Sequence, residues 1–198
     1  MMTSLLLVLL LASHGGKPAS KPVIACFGDS LTAGHGLEPG LSYPDLLQKK
    51  LPGWRVVNLG ISGDTTAGGL ARINTVTALK PSIVVLELGA NDGLRGLPLK
   101  ATRSNLEQMV VALKKSGARV VLAGMTLPPN YGPEYIRDFE KVYKDLAAKH
   151  KLRLIPFLLE GVAYPGTNLM QRDGLHPNAR GTERVAETVL KALKPLLR

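Results

Sequence analysis

Four short segments of the 198-residue chain hold residue types that can do chemistry together: "GDSL" (28–31), "GISGD" (60–64), "GAND" (89–92) and "DGLHPN" (173–178). A serine hydroxyl is a weak nucleophile until a base takes its proton, and a histidine oriented by a carboxylate does that. Asp173 and His176 are three residues apart on one tight segment. That spacing lets the carboxylate reach one ring nitrogen while the other points elsewhere, toward a hydroxyl such as that of Ser30. Acyl transfer also needs donors for the oxyanion of a tetrahedral intermediate. Gly63 can offer an unobstructed backbone N–H, Asn91 a side-chain NH₂, and Ser30 its own amide near the positive end of a helix. Taken singly, each segment also reads as a cap or turn, because Gly, Asn, Asp and Ser favour such positions for conformational reasons. Ser30 lies in Gly-Asp-Ser-Leu-Thr rather than Gly-x-Ser-x-Gly, which excludes the nucleophile elbow of the ordinary α/β-hydrolases.

The surrounding pattern tells how these segments are brought together. From about residue 22 onward, apolar runs alternate with helical patterns. "VIACFG", "RVVNLGI", "SIVVLELG", "ARVVLAGM" and "LRLIPFLL" read as strands, and the continuous apolar character of the third fits a position covered on both faces. Between them, Ser42 and Asp45 have capping-box spacing ahead of a helix, and "GGLARINTVTAL" reads as a second helix. Leu106, Met109, Val110 and Leu113 fall at i, i+3, i+4 and i+7, an amphipathic helix that Gly117 closes. "PEYIRDFEKVYKDLAAKH" follows, and the last helix shows Val185, Val189, Leu193 and Leu196 on one face. Such alternation implies one parallel sheet with helices on both faces, a fold that binds ligands at the carboxyl ends of its strands. Ser30, Gly63 and Asn91 each lie just after a strand, and Asp173 and His176 follow the fifth.

The four segments in this order resemble the GDSL, or SGNH, hydrolase superfamily, named for Ser, Gly, Asn and His in four blocks. The flanks "GDSLTAGHGL", "VVNLGISGDTTAGGLARI", "VVLELGANDGLRGLP", "GMTLPPNYGPEY" and "LMQRDGLHPN" are similar to the bacterial arylesterase, thioesterase and lysophospholipase branch. The resemblance implies a flavodoxin-like three-layer α/β/α sandwich with a five-stranded parallel sheet ordered 2-1-3-4-5. It implies a serine esterase without cofactor or metal, acting through an acyl-enzyme on aryl and short-to-medium acyl esters, acyl-CoA or lysophospholipid. In that scheme Ser30 is the nucleophile, His176 the base and acid, and Asp173 the group that orients it. Ser30, Gly63 and Asn91 form the oxyanion hole. "LPPNYGPEY" (127–135) corresponds to a region that bounds the acyl pocket in relatives, which makes Tyr131 a candidate substrate-binding residue. His35 stands where relatives often carry tyrosine, a small departure that places a ring near the cleft.

Composition bounds the alternatives. The formal net charge is +10, but the lysines and arginines are scattered singles and pairs without aromatic interleaving, so a nucleic-acid partner is not expected. Membrane contact would be peripheral at most, and a monomer or weak dimer is expected. One cysteine, Cys26, forbids an internal disulfide, and the four histidines lack metal-binding spacing. Residues 5–12 form an apolar run too short to span a bilayer but sufficient for a signal-peptide core, followed by a polar tether. Residues 1–21 are therefore read as a leader for a periplasmic or secreted protein, and residues 22–198 as a single domain. A carbohydrate O-acetylesterase would need sugar-stacking aromatics, whereas only 5% of the chain is aromatic and Trp54 lies away from the four segments. A non-catalytic binding module would show an incomplete constellation. Asp29 is expected to hold its turn through backbone amides. Glu87, a carboxyl inside an apolar strand, is expected to have a structural partner.

Overall fold

The computed structural model describes residues 20–163 and 166–197. The leader reading therefore falls outside the described residues except at Ser20 and Lys21. The elements run β1 (Val23–Gly28), α1 (Ser30–Ala33), α2 (Tyr43–Lys50), β2 (Arg55–Gly60), α3 (Thr66–Ala71), α4 (Ile73–Thr77) and β3 (Ile83–Glu87). They continue with α5 (Ala90–Leu94), α6 (Leu99–Lys115), β4 (Arg119–Ala123), α7 (Pro133–His150), β5 (Arg153–Ile155) and α8 (Ala179–Leu193). The strands form one sheet in the order β2-β1-β3-β4-β5, every pair parallel. This is the expected three-layer arrangement: α2 packs on α8, while α3, α4, α6 and α7 lie side by side.

Burial follows position in the sheet. Every residue of the central strand β3 is buried, as are Ile24 to Gly28 of β1, whereas edge strand β2 is exposed or half-buried throughout. The continuous apolar runs thus belong to strands covered on both faces. The capping box at α2 is present in full: Ser42 accepts from the Asp45 amide, and Asp45 accepts from that of Ser42. Leu106, Met109, Val110 and Leu113 are all fully buried. No helix among the described residues is long and apolar enough to cross a membrane.

Three elements differ from the sequence reading. The helix expected over "GGLARINTVTAL" is two, broken at Arg72, whose φ and ψ are −108° and 14°. The break turns the Arg72 side chain into the fold. Its guanidinium donates to Asp64 Oδ2 at 2.7 Å and to the carbonyls of Leu59 and Gly28 at 2.9 Å, and it lies 4.3 Å over the Phe27 ring. Strand β5 has only three residues because Pro156 has no amide to donate to the ladder. Helix α8 ends at Leu193, leaving Leu196 half-buried in a 3₁₀ turn rather than on the helix face.

Candidate active site

Ser30 sits at the turn from β1 into α1, one residue past the helix cap Asp29. Its backbone approach depends on Gly28, where a Cβ would collide with Thr32 Oγ1 and with both the side chain and carbonyl of Glu87. Asp29 is buried, and its Oδ1 accepts from the Leu31 amide at 3.0 Å, as expected of a residue holding the turn. Gly63 follows β2 with φ of +80°, a left-handed conformation that a side chain would strain. Asn91 lies in the first turn of α5, after β3. The segment carrying Asp173 and His176 closes on Ser30 from the far end of the chain, just before α8.

These residues meet. His176 Nε2 lies 2.8 Å from Ser30 Oγ, and His176 Nδ1 lies 2.6 Å from Asp173 Oδ2. Asp173 Oδ1 accepts from the amides of Leu175 and His176 at 2.9 and 3.1 Å. Partial burial works to raise the Asp173 pKa. The His176 ring and the two backbone donors outweigh it and hold the carboxyl at about 2. An ionised carboxylate only accepts, so the proton on His176 sits at Nδ1 and Nε2 is free to accept from the serine hydroxyl.

The amides of Ser30 and Gly63 make no hydrogen bond to another described residue, and each lies just past the carboxyl end of a strand of the sheet. Asn91 differs. Its Nδ2 donates to Asp29 Oδ2 at 3.1 Å and to the Asp64 carbonyl at 3.0 Å, which occupies both amide hydrogens. Arg95 Nη2 binds the Gly63 carbonyl at 2.9 Å and approaches Asn91 Oδ1 at 3.5 Å. One guanidinium therefore ties together the loops that carry Gly63 and Asn91.

The His35 ring lies tilted against that of His176, centroids 4.6 Å apart, and lines a small cleft with Ser30, Leu31, Gly34, Leu37, Pro177 and Thr182. Tyr131 stands apart from that cleft. Its hydroxyl donates to the Leu94 carbonyl at the end of α5 at 2.7 Å, and its ring stacks on Tyr135. Cys26 is fully buried, which pushes its thiol up to about 12 and leaves it unreactive. Asp64 and Asp92 brace their loops, Asp64 through Arg72 and Asp92 by accepting from the Thr66 amide at 2.8 Å and from the Thr66 hydroxyl.

Comparison with known proteins identifies the family. Residues 26–184 match the model of the GDSL-like lipase/acylhydrolase family. The chain belongs to that family. It is 46% identical to Esterase TesA of Pseudomonas aeruginosa over 186 residues, covering 91% of this chain and 92% of the relative. It is 37% identical to thioesterase 1/protease 1/lysophospholipase L1 of Escherichia coli K12, over 91% of this chain and 88% of that protein. The crystal structure of TesA superposes with a TM-score of 0.85 at 47% identity, covering 88% of this chain and 99% of that one. As a member of this family the protein is a carboxylic ester hydrolase. Arg72 and Arg95 are the residues that reading the sequence for chemistry passed over; each sits within a segment quoted for its motif, but as one more polar side chain.

Proposed function

We propose that this acylhydrolase cleaves aryl and short-to-medium acyl esters and thioesters through an acyl-enzyme on Ser30. The observation that carries the reading is the unbroken chain from Ser30 Oγ through His176 to Asp173 Oδ2. His176 Nε2 takes the hydroxyl proton as Ser30 Oγ attacks the ester carbonyl, and Asp173 stabilises the imidazolium that forms. The negative charge collects on the former carbonyl oxygen, where the amides of Ser30 and Gly63 stand uncommitted. Asn91 supplies the third donor by releasing the neutral Asp64 carbonyl for the oxyanion, a stronger acceptor. His176 then protonates the leaving alkoxide or thiolate, and a water activated by the same nitrogen hydrolyses the acyl-serine.

The substrate range rests on the names of the relatives and on the surface. Ile61, beside Gly63, and Leu175, beside His176, are two of the three large hydrophobic residues exposed among the described ones. They offer an open apolar border to an acyl chain and extend the reading to acyl-CoA and lysophospholipid. Tyr131 contributes at one remove, by tying the 127–135 segment to α5. Residues 1–21 act as an export leader on this reading, ahead of one domain from residue 22 that works in the periplasm or outside the cell.

The test is hydrolysis of p-nitrophenyl esters from acetate to palmitate by the wild type and Ser30→Ala. Activity peaking at short or medium chains is expected, with kcat lowered about 10⁵–10⁶-fold in the variant. A folded wild-type protein inactive on every ester would overturn the assignment.

A further inference from the structure

Beneath the nucleophile lies a second carboxyl that the reaction does not touch. Glu87 ends β3 opposite Gly28 and is fully buried. Its Oε2 accepts from Thr32 Oγ1 at 2.7 Å and from the Asp29 amide at 3.2 Å, while its Oε1 has no donor at all. The two acidic residues are joined through the Asp29 amide, so their carboxyls lie close together inside the core. Neither forms an ion pair with a lysine or arginine among the described residues; Arg72, which donates to the neighbouring Gly28 carbonyl, is paired with Asp64. The other titratable groups around them are Cys26 on β1, Tyr43 on α2, Asp92 on α5, Tyr143 on α7, and His176, which faces Asp29. Cys26, Tyr43 and Tyr143 are buried and neutral, so this pocket contains no fixed positive charge to accommodate two anions.

We propose that Glu87 is a neutral carboxylic acid that serves as a positioning residue: its proton lets Asp29 alone carry charge, and anionic Asp29 aims the Asn91 amide at the forming oxyanion. This rests on Asn91 being an oxyanion donor, as assigned above. Two carboxyls buried close together in a low-dielectric site without a cation do not both ionise. Burial drives the Glu87 pKa well above the ordinary carboxylate range, with the adjacent Asp29 charge adding to it. Burial also lifts Asp29, to about 6, but the Leu31 amide, Glu87, His176 and Asn91 all favour its anion. The proton therefore rests on Glu87 at neutral pH. An unpartnered Oε1 suits a neutral acid, whereas half of a buried carboxylate would leave charge unsatisfied. Asp29 Oδ2 then holds one Asn91 hydrogen firmly, which fixes the amide rotamer and leaves the other hydrogen to swing from the Asp64 carbonyl to the oxyanion.

Two measurements test this on the full-length enzyme. Infrared spectroscopy at neutral pH should show the carbonyl stretch of a buried protonated carboxylic acid in the wild type, lost in Glu87→Gln. Absence of that band in the wild type overturns the proposal whatever the kinetics show. With p-nitrophenyl butyrate, Glu87→Met should lower kcat about 10–100-fold with little change in KM, a part of what losing one oxyanion donor costs. Glu87→Gln, which is neutral and keeps the shape and the acceptor for Thr32 and the Asp29 amide, should recover most of that loss. Its acid limb of kcat/KM should overlay the wild type, since no charge is removed; a limb displaced to lower pH means Glu87 was ionised and sinks the idea. In an Asn91→Ala background Glu87→Met should add almost nothing, and full additivity would show that Glu87 acts elsewhere. Should Asn91→Ala leave kcat intact, the oxyanion assignment fails on its own, and the infrared band still reports separately on the proton.

Discussion

Two aspartates flank the Ser30–His176 pair, and their surroundings are opposite. Asp29 is buried in the floor formed by β1, β3 and α1, without a cation, and burial pushes its pKa up to about 6. Asp173 stands 40% exposed on a loop at the edge, and its three donors hold it at about 2. The floor is built for rigidity: Asp29, Thr32, Glu87 and Tyr43 interlock through hydrogen bonds inside the core, with Gly28 packed closely against Thr32 and Glu87. The loop suits the proton transfer proposed for it: its carboxylate keeps full charge beside a ring that would gain and lose a proton. Environments that push two carboxyls apart mark different tasks. On the mechanism proposed above, the exposed one serves the moving proton and the buried one the fixed donors.

Breaking the loop side should cost the most in rate and the least in stability. Asp173→Asn keeps the size of the side chain but turns an acceptor-only group into one that can present NH₂ to His176, favouring the wrong tautomer. A fall of about 10³–10⁴ in kcat is expected, equivalent to about 4–5.5 kcal/mol of transition-state stabilisation. The thermal midpoint should barely move, because the side chain is largely exposed. Breaking the floor should do the reverse. Gly28→Ala places a methyl group where Thr32 and Glu87 already are, both buried and neither able to retreat. Overpacking of this kind costs about 1–3 kcal/mol, and urea unfolding would register it. An unchanged unfolding midpoint would mean that the floor can relax and is not the rigid half of the site.

The same division decides what could be read from the sequence. Strands β1, β3 and β4 were legible because positions covered on both faces are apolar throughout. Residues 30, 63, 91, 173 and 176 were legible because each carries a type whose chemistry makes sense with the others. Strand order came only through the resemblance, since nothing local to β2 says that it lies at an edge beside β1. Arg72 was not legible at all. A helical pattern treats arginine as a solvent-facing position, and its partners at residues 28, 59 and 64 lie on other elements. Glu87 could be flagged as an anomaly in an apolar run, but its partners, Thr32 and Asp29, lie 55 and 58 residues away. Long-range polar contacts leave no period in the chain, so the floor that supports the nucleophile was the least readable part.

A weaker probe of the floor is Thr66→Val. The Thr66 hydroxyl donates to Asp92 Oδ1 and accepts from Asn105 Nδ2 at 3.1 Å, in a buried cluster beneath α5. Removing it strips a donor from a buried carboxylate at nearly constant volume, a loss of about 1–3 kcal/mol. Because Asp92 follows Asn91 directly, kcat should decline with stability, which calorimetry and steady-state rates would resolve together.

The smallest effect separates the two regions most finely, because it uses one kind of interaction in both. Asn178 caps α8 by accepting from the Gly181 amide at 3.0 Å, and Ser42 caps α2 by accepting from the Asp45 amide. Each cap, changed to alanine, should cost about 1 kcal/mol, lowering the thermal midpoint by about 2–4 °C. Asn178, however, lies two residues past His176, and its side-chain amide also donates to the carbonyls of Asn168 and Met170 at 2.9 and 3.3 Å. It ties the base-bearing segment to both the helix and the preceding loop. Asn178→Ala should therefore lower kcat along with the midpoint, while Ser42→Ala, remote from that segment, lowers the midpoint alone. Equal kinetic effects from the two would mean that His176 is held by its bond to Asp173 and needs no support from the helix behind it.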